Sequence, residues 1–147
     1  MKISDFLSPA DVVIDVRATP KRQLLHDLAA RAATSLGLPA DDIAAELLKR
    51  EELGSTGIGG GVAIPHTRMK SVRRPFAALT RLKQPIDFEA IDGQAVDLVV
   101  LLLLPGEAEA DQLVALAAVA RRLKAQGMLP RLRGAKTAAE AYAAMTD

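Results

Sequence analysis

Apolar and polar positions follow two rhythms along this chain, and the switches between them mark its elements. Val12-Val-Ile-Asp-Val16 is β-branched and predicts a strand, after a short helical turn within Met1 to Leu7. From Lys21 to Leu36 the apolar residues Leu24, Leu25, Leu28, Ala29 and Ala32 recur at helical spacing. Thr19-Pro20 stands at the start of that helix, where proline suits the first turn. His26 sits in it, between Leu25 and Asp27, near the boundary of the apolar stripe, and reads as a surface or partly packed residue. Gly37-Leu-Pro39 breaks the helix. In the next one Asp41 and Asp42 occupy the first turn, where acids suit the positive end of the dipole. Ile43, Ala44, Leu47 and Leu48 form its buried stripe, and Lys49 and Arg50 stand near its C-terminal end.

Further along, Val62-Ala-Ile64 predicts a short strand that Pro65 ends, and Pro75 to Leu82 predicts another. Pro85 to Phe88 and Ile91 to Gly93 read as a tight excursion with a turn. Val96 to Leu104 is an almost unbroken apolar run, the pattern of an interior strand covered on both faces. Glu107 to Lys124 predicts a helix on Leu113, Leu116, Ala117, Ala120 and Leu123, and Leu129 to Leu132 a short helix or turn. Thr137-Ala-Ala-Glu140 matches a capping box before a last helix, Ala138 to Met145. No repeat or linker interrupts residues 1–147. Strands mixed with helices at both ends predict a single α/β domain around a central sheet.

Composition removes whole classes of function. The formal net charge is +1, and the basic pairs Arg73-Arg74 and Arg121-Arg122 are interleaved with acids, so nothing favours nucleic acid. There are no cysteines, which excludes disulfides, thiol nucleophiles and thiolate metal sites, and fits a reducing compartment. Met1 to Phe6 lacks the apolar stretch of a secretory signal. The longest apolar run, Leu98 to Leu104, has seven residues, whereas a membrane-spanning helix needs about 20. A cytoplasmic protein without direct membrane insertion is the expectation.

The candidate chemistry is concentrated in Gly54-Ser-Thr-Gly-Ile-Gly-Gly-Gly-Val-Ala-Ile-Pro-His66-Thr-Arg68, where five of the ten glycines fall within eight positions. No lysine follows in the place a Walker A loop requires, and neither register of G-x-G-x-x-G completes a dinucleotide fingerprint. A G-x-S-x-G elbow is absent, and one histidine without further ligands is poor support for a metal. What is left is an imidazole beside a loop suited to phosphate. Neutral imidazole is a good nucleophile because its ordinary pKa lies at about 6.5. The N–H groups of glycine turns, here at Gly57 and Gly59, form anion-binding concavities. The hydroxyls of Ser55, Thr56 and Thr67 can donate to phosphate oxygens, and Arg68 and Arg50 supply positive charge. Read from the residues alone, the stretch is either such a phosphoryl site or a glycine-rich turn, bulge or flap beside a structural histidine.

The run Arg50-Glu-Glu-Leu-Gly-Ser-Thr-Gly-Ile-Gly-Gly-Gly-Val-Ala-Ile-Pro-His66 closely resembles the active-site signature of EIIA proteins of the fructose/mannitol class, components of the phosphoenolpyruvate-dependent phosphotransferase system. Arg81-Leu-Lys-Gln-Pro-Ile-Asp-Phe-Glu-Ala-Ile-Asp-Gly-Gln-Ala-Val-Asp-Leu98, with Leu101-Leu-Leu-Leu-Pro105, resembles the nitrogen-regulatory branch, EIIA-Ntr. The resemblance spans nearly the whole chain. It implies a mixed sheet flanked by helices and a phosphotransferase component without cofactor or metal. In such a component His66 takes a phosphoryl group from an HPr-like carrier, called NPr in this branch. It also implies that phosphorylation state regulates partners, potassium-transport or nitrogen regulators among them. In sugar-class relatives the group passes instead to an EIIB domain. Family members usually carry a second histidine early in the helix after the Leu-rich strand. Aligned through Val119-Ala-Arg-Arg-Leu123, that position is Gln112, whose amide can bond imidazole or phosphate but carries no charge. The acidic Asp111 stands beside it. A binding module that keeps the fold without transferring phosphate is a third reading, resting on Gln112. Because the donor would itself be a protein, His66 is expected in a shallow depression with an apolar rim.

Overall fold

The sheet is organised around one strand that is buried on both faces. The computed structural model describes residues 1–107 and 109–147, the side chains of residues 109–112 excepted. In chain order the elements are a 3-10 turn (Ile3–Asp5), β1 (Leu7–Val16), α1 (Lys21–Leu36), α2 (Ala40–Glu52), β2 (Gly57–Gly59), β3 (Val62–Ala63) and β4 (His66–Met69). They continue with β5 (Phe76–Ile86), β6 (Val96–Pro105), α3 (Glu109–Lys124), α4 (Met128–Gly134) and α5 (Ala138–Thr146). The strands form a six-stranded sheet in the order β1-β5-β6-β3-β2, with β4 also paired to β6. β5 and β6 are antiparallel, whereas β1 runs parallel to β5, and β3 and β4 run parallel to β6, so the sheet is mixed.

β6 explains the layering. Side chains alternate across a strand. Leu98, Val100, Leu102 and Leu104 pack with Ala115, Val119 and Leu123 of α3, Leu132 of α4 and Ala141 and Ala144 of α5. Val99, Leu101 and Leu103 pack on the other face with Leu24, Leu25 and Leu28 of α1 and Ile43 and Leu47 of α2. The apolar run therefore has no polar face because both faces are covered by helices. β3 and β4 lie end to end along the other side of β6, Val62 opposite Leu98 and His66 opposite Leu102. This places His66 at the start of a short strand on a rigid, fully buried neighbour.

Several expected elements change their bounds. β1 begins at Leu7 rather than Val12, and Pro9 is tolerated because β1 is an edge strand with a register shift between Leu7 and Val12. β5 continues through Pro85 to Ile86 instead of turning away at Pro85. The ladder is irregular between Arg81 and Ile86, so no regular pairing depends on the missing N–H. β2 and β4 were not legible as strands, the first being Gly-Ile-Gly and the second His-Thr-Arg-Met. In α3, which starts at Glu109 and not at Glu107, the buried line is Ala115, Val119 and Leu123. Leu113 and Ala117 are exposed, so the core-facing stripe lies to one side of the expected one. The short helix or turn expected over Leu129 to Leu132 is a helix, with the longer bounds Met128–Gly134. Thr137 caps α5 by accepting the Glu140 N–H at 3.1 Å, while the Glu140 carboxylate takes the Lys136 N–H at 2.9 Å rather than that of Thr137.

Candidate active site

Ile64 and Pro65 link β3 to His66, and backbone bonds hold this segment on both sides. The Pro65 carbonyl accepts the Leu102 N–H of β6 at 2.9 Å, and the Ile64 N–H donates to the Thr56 carbonyl at 3.0 Å. The half-buried His66 ring turns back on this segment, with Nδ1 2.7 Å from the Ile64 carbonyl oxygen. A carbonyl oxygen can only accept, so Nδ1 carries the proton in this contact and Nε2 is the nitrogen with the free electron pair.

His66 lines a depression of about 440 Å³ along β4, between the end of α2 and the start of α3. Thr67 and Arg68 of β4 line it as well, as does Arg50 of α2, one of whose guanidinium nitrogens donates to the Gly54 carbonyl at 3.0 Å. A cation is well placed at that helix end, where the dipole is negative. Glu46, Lys49, Leu53, Leu104, Leu113 and Leu116 complete the wall. Leu53 and Leu113 are 85% and 69% exposed, so the mouth is rimmed by apolar side chains that no part of the described chain covers. Four of the sequence-derived site residues, His66, Thr67, Arg68 and Arg50, thus come together.

The other expected residues are placed elsewhere. Ser55 donates its hydroxyl to the Phe88 carbonyl at 2.8 Å and accepts the Gly57 N–H at 3.0 Å. Thr56 is buried and spends both its N–H and its hydroxyl on the Glu51 carboxylate. Gly57 lies against Ala90, whose Cβ stands 2.7 Å from where a side chain would begin, so close packing rather than an anion demands glycine there. Gly59 belongs to β2 and faces Asp92. None of these four lines the depression. The phosphate cradle expected of the glycine loop is instead a tight fold of the loop onto the 88–94 segment. The side chains of Gln112 and Asp111 lie outside the described residues. His26 is exposed on α1 and is not among the residues lining the depression.

Asp92 shows how the glycine turn is secured. It accepts the Gly60 N–H and the Gln94 N–H, each at 3.0 Å. These bonds, that from Gln94 foremost, hold its carboxyl below the ordinary value of 3.8. A carboxyl lowered in the folded state adds stability that is complete above the unfolded value and is lost as pH falls through the folded one. The stability difference between wild type and Asp92→Ala is therefore expected to be constant above about pH 5 and to shrink toward zero in acid. Urea melts across pH 2–6 measure it, and a difference that persists undiminished at pH 2 would contradict the assignment.

A second concavity, about 670 Å³, lies between the glycine turn and the α3–α4 junction, lined by Ile58, Leu123, Leu129 and Pro130 among others. It is larger, but its ionisable lining residues are Asp92 and Lys124 and it holds no histidine, so size does not decide which of the two is the candidate site. Among the described residues no group of three His, Cys, Asp or Glu side chains is arranged to hold a metal ion, and no helix is long and apolar enough to cross a membrane.

Sequence reasoning expects an apolar rim but does not say which residues form it. Leu113 was counted into the buried stripe of α3 because helical spacing alone does not say which of two adjacent apolar lines faces the core. Glu51, which takes the Thr56 N–H and hydroxyl, stands in the signature run but received no role from sequence reasoning.

Comparison with known proteins bears on this geometry. Residues 5–147 match the family model described as "Phosphoenolpyruvate-dependent sugar phosphotransferase system, EIIA 2". A nitrogen regulatory protein of Bradyrhizobium diazoefficiens is 42% identical over 145 residues, covering 99% of this chain and 95% of that one. A nitrogen regulatory protein of Pseudomonas aeruginosa is 36% identical over 148 residues, covering 100% of this chain and 96% of that one. The crystal structure of the nitrogen regulatory protein IIA-Ntr from Neisseria meningitidis superposes with a TM-score of 0.93 at 32% identity, over 98% of this chain and 99% of that one.

Proposed function

Given that the chain belongs to the EIIA 2 family of the phosphoenolpyruvate-dependent sugar phosphotransferase system, we propose that it is a nitrogen-regulatory phosphohistidine carrier acting through His66. The observation that carries this reading is the imidazole itself: protonated at Nδ1 against the Ile64 carbonyl, it lines an open depression beside Arg50 and Arg68.

In the proposed transfer, a small HPr-like carrier (the NPr of this branch) docks its own phosphohistidine over the depression. The electron pair of His66 Nε2 forms a new P–N bond as the donor's P–N bond breaks, and the donor ring leaves with the electron pair of the broken bond. The His66 proton stays on Nδ1, where the Ile64 carbonyl stabilises the positive charge that develops on the ring. Phosphoryl transfer asks the protein mainly for alignment and for charge near the three equatorial oxygens. Arg50 and Arg68 supply that charge, and Thr67 lines the same wall. Gln112 directly precedes Leu113 of the rim in the sequence, and the family resemblance is the ground for proposing it as a supporting residue. The exposed Leu53 and Leu113 suit a transient protein interface, in which apolar contacts at the centre exclude water from the reacting groups. No cofactor or metal takes part on this side. The absence of cysteine fits a cytoplasmic setting.

The names of the relatives favour regulation over transport, so the phosphorylated and unmodified forms are proposed to bind target proteins differently. Potassium-transport or nitrogen regulators are the proposed targets. The word "sugar" in the family description keeps one other reading in play, onward transfer to an EIIB domain. Both are tested in one assay: incubation with phosphoenolpyruvate, enzyme I and the HPr-like carrier, followed by intact mass and then by addition of candidate EIIB domains. Gain of one acid-labile phosphoryl group that stays on the protein supports the regulatory carrier. Rapid loss to an EIIB domain marks a sugar-specific component, and no gain at all marks a binding module.

A further inference from the structure

One well-built cluster has no part in the reading so far. The Glu51 carboxylate, at the last turn of α2, is 6% exposed, and groups from two directions converge on it. Lys21 Nζ of α1 approaches to 2.9 Å while lying 4.6 Å from the centre of the Phe88 ring. The Thr56 N–H lies within 3.3 Å of both carboxylate oxygens, and the Thr56 hydroxyl donates to one of them. A buried ion pair is a weak source of net stability but is strict about geometry, and removal of one partner leaves the other uncompensated.

The cluster is continuous with the reactive ring. The Thr56 carbonyl accepts the Ile64 N–H at 3.0 Å, and the Ile64 carbonyl meets His66 Nδ1 at 2.7 Å. An unbroken series of contacts therefore runs from Lys21 through Glu51, Thr56 and Ile64 to the imidazole. Resting on the reading of His66 as phosphoryl acceptor, we propose that Glu51, held by Lys21, is a positioning residue. It locks Thr56 and through it the Ile64 carbonyl, so that His66 keeps its proton on Nδ1 and its electron pair on Nε2. The outer partner of a histidine commonly selects its tautomer in this way. Here that partner is a backbone carbonyl, whose position depends on a carboxylate two contacts away.

In Glu51→Gln one acceptor oxygen becomes an NH2 group that faces either the Lys21 ammonium or the Thr56 hydroxyl, and the Thr56 N–H beside it, so the clamp loosens while the side-chain shape is kept. Thr56→Val removes only the hydroxyl arm, and Thr56→Ser restores it. Two quantities are read on the folded proteins. One is the long-range 1H–15N spectrum of the His66 ring, which reports its tautomer directly. The other is single-turnover transfer from the phosphorylated carrier. Wild type is expected to show one tautomer, with the proton on Nδ1. Glu51→Gln and Thr56→Val are expected to show a mixture and to transfer roughly tenfold to a hundredfold more slowly at saturating carrier, with the carrier KM unchanged. Thr56→Ser is expected to recover both. An unchanged tautomer in folded Glu51→Gln and Thr56→Val overturns the proposal whatever happens to the rate, and so does an unchanged rate. Should Glu51→Gln fail to fold, the valine and serine pair decides. Should wild type accept no phosphoryl group, the functional reading falls, and the ring spectrum alone decides this one.

Discussion

His66→Ala is expected to take up no phosphoryl group from a charged carrier while unfolding close to the wild-type midpoint. The two halves of this result have different causes. Only one imidazole lines the depression, so its removal leaves no phosphohistidine acceptor there and the loss is complete rather than graded. Stability changes little because the ring is half-buried, and its bond to the Ile64 carbonyl is replaced by water at an open surface. The cost is about 1 kcal/mol. His26→Ala is the matching control: it deletes the other histidine, exposed on α1, and is expected to label like wild type. Intact mass after incubation with phosphoenolpyruvate, enzyme I and carrier reads both variants, and a denaturant melt of each excludes unfolding as the cause. Label on His66→Ala at the wild-type level would show that the acceptor lies elsewhere.

The sequence carried the fold wherever one physical rule acted alone. β6 was legible because a strand covered on both faces has no polar positions, and α1 because its apolar residues fall on one side of a helix whose ends Pro20 and Gly37 mark. The candidate nucleophile rests on a different ground: glycines, a proline and a lone histidine left a structural turn equally open, and the resemblance of Arg50 to His66 to a family signature singled out the ring. The phosphate cradle was not. Gly57 and Gly59 look like an anion loop, but their environment is set by Ala90 and Asp92, more than thirty positions away. No local pattern tells a glycine that makes room for a ligand from one that makes room for another segment of the same chain. An apolar rim was expected, but its residues were hidden in the same manner. Leu113 is apolar and helically spaced, and only the packing of α3 on β6 through Ala115, Val119 and Leu123 turns it outward.

Arg50→Met is expected to slow transfer about a hundredfold, the second largest effect at this site. Charge that develops on the equatorial phosphoryl oxygens is best met by a group already in place, and loss of one such donor costs rate rather than affinity. Arg50 is in place because one guanidinium nitrogen is tied to the Gly54 carbonyl at 3.0 Å, which leaves the rest of the fork at the wall of the depression. The effect is set at the lower end of such losses because the depression is open and water competes for the same oxygens. Arg50→Lys retains the charge without the fork, so an intermediate deficit of roughly tenfold is expected. Arg68→Met removes a cation from an exposed position, where salt and water screen it, and its deficit is expected to stay below about tenfold at physiological ionic strength. Rapid-quench single turnovers at saturating carrier separate these rates from docking. Wild-type rates in Arg50→Met, or a rate restored merely by more carrier, would assign Arg50 to docking or to the α2 terminus instead of the transferring group.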